Sequence, residues 1–289
     1  MATDTASVQA FFDEPTWTAS YLVSDPATQR AAVIDPVLDF DAKSGRTATR
    51  SADAILKAAA AAGLTIDWVL ETHVHADHLT ASAHIKRATG AKIGIGAGIR
   101  DVQATFRPIF NAKDLTPDGA QFDRLFEDGD RFRIGGLEVE VMHTPGHTPA
   151  CVSYRIGDAA FVGDTLFMPD YGTARADFPG GDAATLYRSI RRVLSLPDET
   201  RLFLCHDYKA PGRDRYAWET TVAAQRASNV HVHDGVSERE FVAMRTARDA
   251  TLQMPTLILP SLQVNMRAGA FPPPDDDGHI YLKLPVDRL

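Results

Sequence analysis

Thr72-His73-Val74-His75-Ala76-Asp77-His78-Leu79 packs three histidines and an aspartate into six residues, directly behind the apolar run 66–70. A short apolar run of this kind reads as a buried strand. A strand end is a rigid support for a functional side chain. Imidazole and carboxylate are ligands for zinc, iron and related cations. The stretch therefore reads as one half of a metal site, and the fold must bring the other half to it.

The same event recurs along the chain. Leu137, Val139 and Val141 alternate with Glu138, Glu140 and Met142, the period of a strand with one buried face. That strand runs into Thr144-Pro145-Gly146-His147-Thr148. A hairpin over 151–156 and 159–162, turning at Gly157-Asp158, ends at Gly163-Asp164, and the apolar run 202–205 ends at His206-Asp207. Strands thus end in metal-type residues at His73, His147, Asp164 and His206. A lone histidine is usually a core or surface residue, but a set of four strand ends of this kind is not explained that way.

The remaining segments fit an α/β chain. Residues 17–23 and 30–34 read as a hairpin turning at Ser24-Asp25-Pro26, closed by Asp35-Pro36-Val37. Residues 39–49 read as a polar loop. Ser51 reads as the cap of a helix to Ala62, closed by Gly63, with Ile55, Leu56 and Ala59 facing the core. A helix through Arg87 stops at Gly90, and 91–95 form a strand. Residues 100–123 read as an irregular excursion. Asp182 caps a helix carrying Leu186, Ile190, Val193 and Leu194 on one face, and Ser237 with Glu240 has capping-box spacing. Residues 257–259 and 281–284 read as strand-like, and only two helices are expected after His206. Strand and helix alternate without a linker, so the expectation is one domain over 1–289, with 230–289 as a C-terminal extension packed on it.

Composition narrows the function classes. The 289 residues are 44% hydrophobic and 24% charged, which is ordinary for a globular chain with a large core. A net charge of -8 disfavours nucleic acid and anionic membrane as main partners. No apolar run is long enough to span a bilayer. Met1 to Ala10 lacks the basic start and apolar core of a secretory signal. Cys151 and Cys205 sit in apolar runs and read as buried reduced thiols, consistent with a cytoplasmic protein.

The pattern T-H-x-H-x-D-H, T-P-G-H-T, G-D and a late strand ending in histidine resembles the metallo-β-lactamase superfamily. The resemblance implies an αββα sandwich with the metal site at one edge. It leaves two ligand schemes open. Dinuclear hydrolases of that superfamily would use His73, His75 and His147 for one metal and Asp77, His78 and His206 for the other, with Asp164 bridging. A narrower resemblance covers Gly163-Asp164, Met168, Gly172, Arg175, Asp177, Phe178 and Gly181, then His206-Asp207-Tyr208 and Asn265-Met266-Arg267. It also includes 35–39 and 43–46. These stretches are similar to the persulfide dioxygenases of bacterial type. That family implies one Fe(II) per chain on His73, His147 and Asp164, and oxidation of glutathione persulfide by O2 and water to sulfite and glutathione. His75, Asp77, His78 and His206 would then be catalytic groups that orient ligands and bound water.

Glutathione carries carboxylates, so its pocket needs a cation and hydrogen-bond donors. The resemblance implies Arg175, Thr148 and Tyr208 for that pocket; Lys209 and Arg213 are weaker candidates. Relatives often carry Cys or Thr where this chain has Ala176, which implies a lost polar group near the entrance. His231, His233, His143, His84 and His279 read as surface, loop or structural histidines. The family implies a homodimer or larger assembly. The alternative activity is a glyoxalase II-type hydrolase of glutathione thioesters; a β-lactamase or lactonase fits less well because both lack the 175–181 pattern.

Overall fold

A computed structural model describes residues 5–288; Met1–Asp4 of the leading stretch and Leu289 lie outside it. In chain order come β1 (Ser7–Asp13), β2 (Thr18–Asp25), β3 (Arg30–Ile34), β4 (Val37–Asp41), β5 (Arg46–Ala48), α1 (Arg50–Ala61), β6 (Thr65–Leu70), β7 (Leu79–Thr80), α2 (Ser82–Thr89), β8 (Lys92–Gly96), α3 (Ile99–Ile109) and β9 (Arg124–Phe126). Strands β1-β2-β3-β6-β8-β9 pair in that order, antiparallel as far as β3 and parallel beyond it. Each parallel step crosses over through a helix, so α1, α2 and α3 cover the outer face of this sheet.

A second sheet follows, with β10 (Arg131–Ile134), β11 (Leu137–His143), β12 (Val152–Ile156), β13 (Ala159–Phe161), β14 (Arg201–Phe203) and β15 (Glu219–Thr221), paired in chain order. Between β13 and β14 lies α4 (Ala183–Val193); α5 (Val222–Ser228), α6 (Glu238–Asp249) and α7 (Ile258–Asn265) complete the chain. Strands β5-β4-β7 form a small third sheet.

Alternation of side chains sorts the interior into three apolar layers. Tyr21, Val23, Ala32, Ile34 and Leu70 face Val139, Val141, Tyr154, Phe161 and Phe203 between the two main sheets. Leu22, Ala31, Val33 and Val69 face the opposite way, against Ile55, Ile85, Val102 and Leu262. On the far side, Ala160, Val162, Leu202 and Leu204 pack against Leu186, Ile190 and Phe241. This is the expected αββα sandwich. Residues from 230 onward join two of these layers: α6 packs on α4, and α7 packs beside β7. No helix among the described residues is long and apolar enough to cross a membrane.

Several local expectations fail for identifiable reasons. Residues 39–49 hold the β4–β5 hairpin rather than a loop, because Asp41 ties its turn through the Lys43 amide at 2.9 Å and the Ser44 hydroxyl at 2.7 Å. Helix α1 begins one residue before Ser51, whose amide donates to Asp39 at 3.1 Å. The excursion contains α3, with Ile99, Val102 and Phe106 on its buried face. Residues 257–259 enter helix α7, and 281–284 form no strand; Gln263 holds that tail through the Lys283 backbone at 2.8 and 3.0 Å. Among the described residues three helices, not two, follow His206.

Candidate metal centre

The ligand-bearing loops leave β6, β11, β13 and β14 at one edge of the sandwich. In the β11–β12 loop, Gly146 has φ +133, and a Cβ there would lie 2.3 Å from the backbone of Leu186 in α4. Only glycine lets the His147 loop approach that closely.

Ligand atoms of His73, His147 and Asp164 all lie within 4.8 Å of one another. Asp164 Oδ2 is 3.9 Å from His73 Nε2 and 3.7 Å from His147 Nε2. Neighbours orient both rings. The Thr72 hydroxyl donates to Asp35 Oδ2 at 2.8 Å, so its lone pairs remain for the Nδ1–H of His73 at 3.0 Å. His147 Nδ1–H donates to the Arg175 carbonyl at 2.8 Å. Each ring therefore turns Nε2 toward Asp164, the arrangement typical of metal-ligating histidines.

His75, Asp77, His78 and His206 form a second set, also within 4.8 Å. His206 Nε2 is 3.0 Å from Asp77 Oδ2 and 3.4 Å from Asp164 Oδ1. Asp164 thus faces both sets, one oxygen toward each. His78 Nδ1 is 3.4 Å from Asp77, and the Thr18 hydroxyl lies 3.4 Å from Nδ1 of both His78 and His206. His75 points its Nε2 to Asp35 Oδ1 at 3.1 Å and to Glu71 Oε2 at 3.5 Å.

The residues fit a cation. Buried atoms without an aligned hydrogen-bond partner include His73 Nε2, His75 Nδ1, Asp77 Oδ2, His78 Nε2, Asp164 Oδ1 and His206 Nε2. Orphaned polar atoms in this number would be costly unless a shared positive charge engaged them. The electrostatics agree. Burial, then the neighbouring imidazoles, push His73 well below the usual imidazole range, leaving a neutral ring with a free lone pair. Burial and His75 lower His78 as well. Against the burial of their own rings, Asp35 and Cys205 raise His75, while Asp164 and Asp77 raise His206.

A cavity of about 640 Å³ opens over the first set, its walls including Asp77, His147, Asp164, Arg175, Tyr208 and Arg248. The Tyr208 ring stands among Trp17, Phe167 and Tyr171, 5.2 to 5.8 Å between centroids. Burial, with Asp77 and Asp164 nearby, holds its phenol well above the usual range, so its hydroxyl remains a donor. Arg175 lines the cavity but is already committed. Its Nε and Nη2 donate to Asp177 at 2.5 and 2.7 Å, and Nη1 to the Gln253 carbonyl at 2.7 Å. Thr148 is fully buried beside Cys151 Sγ at 3.1 Å and is not part of the cavity wall. Ala176 is buried against the α4–α6 layer rather than at the entrance, its amide donating to Asp249 at 2.8 Å. Arg213 is tied to Asp207 and Asp170, and Lys209 stands over the Tyr216 ring, so neither faces the cavity.

His231 is more than a loop histidine. Its Nδ1 accepts from the Thr173 amide at 3.1 Å, and burial, with Arg245 and Arg248, lowers its pKa to about 4. His143 Nε2–H donates to the Pro149 carbonyl at 3.0 Å, and His84 pairs with Asp53 at 2.8 Å. His233 and His279 are exposed. Cys151 and Cys205 are free and buried, and burial pushes the Cys151 thiol up to about 12.

Sequence reasoning missed Asp35, Glu71, Thr18 and Arg248 as members of the site. Asp35 had a usable signal: an aspartate directly after a buried strand, followed by proline. It also missed the role of Asn265, which donates to the carbonyls of His75 and His78, both at 2.8 Å, and so clamps the histidine loop from α7.

Comparison with known proteins adds three kinds of likeness. The family profile of the metallo-beta-lactamase superfamily matches residues 17–206. A probable metallo-hydrolase of Burkholderia pseudomallei is 55% identical over 98% of this chain and all of its own. A Dictyostelium discoideum protein named Glyoxylase B2 is 47% identical over 98% of both chains. The human mitochondrial persulfide dioxygenase ETHE1 is 31% identical over 92% of this chain and 90% of its own. Among solved structures, ETHE1 from Myxococcus xanthus superposes with a TM-score of 0.73 at 33% identity, covering 91% of this chain and 100% of that one. Of some further relatives, named beta-lactamase hydrolase-like proteins, the chain spans only about 65% of the length.

Proposed function

The chain belongs to the metallo-β-lactamase superfamily, and on that frame we propose that it is an Fe(II)-dependent persulfide dioxygenase. The reaction is GSSH + O2 + H2O giving GSH, sulfite and two protons. The observation that carries the proposal is the His73–His147–Asp164 set, two imidazoles and one carboxylate beneath the cavity. Such a triad leaves coordination positions open for small ligands. The likeness to the human persulfide dioxygenase over 92% of the chain supports the same reading.

His73, His147 and Asp164 would hold the iron. Bound Fe(II) supplies the redox exchange with O2 that Zn(II) lacks. The remaining work falls to the chain itself. Thr72 and the Arg175 carbonyl keep the His73 and His147 rings turned toward the site. Asp77, beside His206 and on the cavity wall, orients the attacking water. Tyr208 offers its hydroxyl proton to a polar group of the substrate. Leu252, Met254 and Leu257 give the cavity an apolar side that limits access of bulk water. The carboxylate of a glutathione moiety needs a free cation. Arg248 supplies one, since among the described residues no carboxylate pairs with it, whereas Arg175 is held by Asp177 and Arg245 by Asp249.

A dinuclear hydrolase of glutathione thioesters is the second reading. It is favoured by Asp77, His78 and His206 standing together and by Asp164 facing both sets, although His75 groups with that second set rather than with His73 and His147. Metal analysis combined with an O2 electrode decides. The dioxygenase predicts about one iron per chain and O2 uptake that depends on glutathione persulfide. Two metals per chain, hydrolysis of S-lactoylglutathione and no O2 uptake would establish the hydrolase instead. That the enzyme acts in the cytoplasm, as a homodimer or larger homo-oligomer, is part of the same proposal; gel filtration with light scattering tests the assembly.

A further inference from the structure

The Arg175 carbonyl that orients His147 belongs to the irregular stretch 173–178, which no strand or helix holds. What holds it comes from α6. Arg245 Nη1 donates to the Thr173 carbonyl at 3.1 Å, and the Ala176 amide donates to Asp249 Oδ2 at 2.8 Å. The two α6 side chains bind each other, Nε to Oδ1 at 2.8 Å and Nη2 to Oδ1 at 2.6 Å. Arg245 is 1% exposed and Asp249 5%. The two anchored residues, Thr173 and Ala176, bracket Arg175. His231 adds a third tie at the Thr173 amide, 3.1 Å.

A buried ion pair is a poor stabiliser, because desolvation offsets most of its attraction, and an apolar pair of similar size often folds as well. Here each partner also spends a hydrogen bond on backbone that leads to a metal-type ligand. We propose that the Arg245–Asp249 pair is a positioning element for His147. It fixes the Arg175 carbonyl, which fixes the imidazole with its proton on Nδ1 and its lone pair on Nε2 facing the cation. The role is the same for one cation or two, so it stands apart from the choice between dioxygenase and hydrolase.

The test uses metal-free and zinc-loaded full-length protein with 15N-labelled histidine. His147 is assigned in the spectrum by loss of its signals in His147→Gln. Asp249→Asn keeps an acceptor for the Ala176 amide. The double variant Arg245→Met/Asp249→Leu replaces the pair by apolar side chains and removes both backbone anchors. The wild type is expected to show His147 protonated at Nδ1 before metal is added. Asp249→Asn is expected to retain that tautomer and to bind Zn(II) within about threefold of wild type in chelator competition. The double variant is expected to lose the single tautomer and to bind Zn(II) about 10–100-fold more weakly, the usual effect of losing a ligand's outer support. Its thermal midpoint should fall by several degrees, because the Ala176 amide and the Thr173 carbonyl lose their partners, with the chain still folded at the titration temperature. A double variant with wild-type tautomer and affinity overturns the proposal, as does one whose zinc loss only follows unfolding. The wild-type spectrum also decides alone if the double variant does not fold, since a His147 ring protonated at Nε2 refutes the mechanism.

Discussion

Asp35 offers the sharpest test of how the site is built. It sits behind β3 at φ +49, a conformation that aspartate tolerates better than most residues. Its carboxylate accepts from the Thr72 amide at 2.7 Å and the Thr72 hydroxyl at 2.8 Å, and lies 3.1 Å from His75 Nε2. All of these groups are buried. Asp35→Ala removes the acceptor for two donors and the counter-charge for one imidazole. A hydrogen bond to a charged group contributes about 1.5–3 kcal/mol. Breaking a buried charged pair from one side costs about 3–5 kcal/mol. The left-handed backbone, which alanine tolerates less well, acts in the same direction. We therefore expect a loss near 4 kcal/mol for Asp35→Ala, taking about the middle of the range for a broken buried pair. Asp35→Asn keeps one acceptor oxygen for the Thr72 amide and the tolerated φ, and its NH2 faces a Thr72 hydroxyl that can accept as well as donate, so it should lose only about 1–2 kcal/mol. Urea unfolding of the metal-free protein, followed by the fluorescence of Trp68 at the inter-sheet core, measures this. With a slope of about 3 kcal/mol/M, the alanine variant's midpoint should fall by about 1.3 M. A shift below about 0.3 M, or equal shifts for Asn and Ala, would refute the anchoring role assigned to Asp35.

Other perturbations separate the remaining roles. His147→Ala should abolish iron retention, whereas Asp77→Ala should leave much of it; equal loss in metal analysis counts against a mononuclear centre. Arg248→Glu should raise KM for glutathione persulfide about 10–100-fold with kcat nearly unchanged, the size of one charge-assisted contact to a carboxylate; an unchanged KM would remove Arg248 from the substrate site. Asp25 accepts from the Thr28 hydroxyl and the Gly136 and Ala27 amides, which together hold its carboxyl below the usual range. Because the folded pKa is depressed, its contribution is present above the unfolded value near 3.8 and disappears as pH falls through the folded one. The midpoint difference between wild type and Asp25→Ala should therefore be constant from pH 5 to 7 and shrink below about pH 4; a difference that persists at pH 2.5 contradicts this.

What the sequence makes legible is chemistry carried by residue type on a strong local pattern. The strand before His73, the β11 alternation, the Asp182 cap and the Ser237–Glu240 capping box are all present. Segments whose pattern is masked are not legible in the same way. Pro108 and interspersed polar residues hide the Ile99, Val102 and Phe106 face of α3, and a run of Leu and Ile at 257–259 looks like a strand until α7 packs it. Partnerships across long separations are invisible as well. Arg175 reads as a free guanidinium, yet its nearest carboxylate is Asp177, two residues on, and that neighbour was available as a warning. Asp35 reads as the end of a hairpin because its partner Thr72 is 37 residues away.

The stretch 72–79 shows why spacing alone cannot apportion ligands to cations. His73 and His75 are two residues apart and their rings stand 4.0 Å from each other, yet they belong to different sets. The difference lies in what each ring touches on its far side. Thr72 takes the Nδ1 proton of His73, so that ring serves Asp164 through Nε2. Asp35 and Glu71 stand beside the opposite nitrogen of His75, Nε2, at 3.1 and 3.5 Å. His78 is turned by Asp77 and Thr18. The outer partners, and not the H-x-H-x-D-H order, decide which lone pair faces which cation. Asp164 is shared by the two sets, with Oδ2 toward His73 and His147 and Oδ1 toward His206. Asp164→Asn keeps the shape but weakens both directions at once, so a chain that binds one iron and a chain that binds two metals should both lose metal. Asp77→Ala distinguishes them, since it disturbs only the second set.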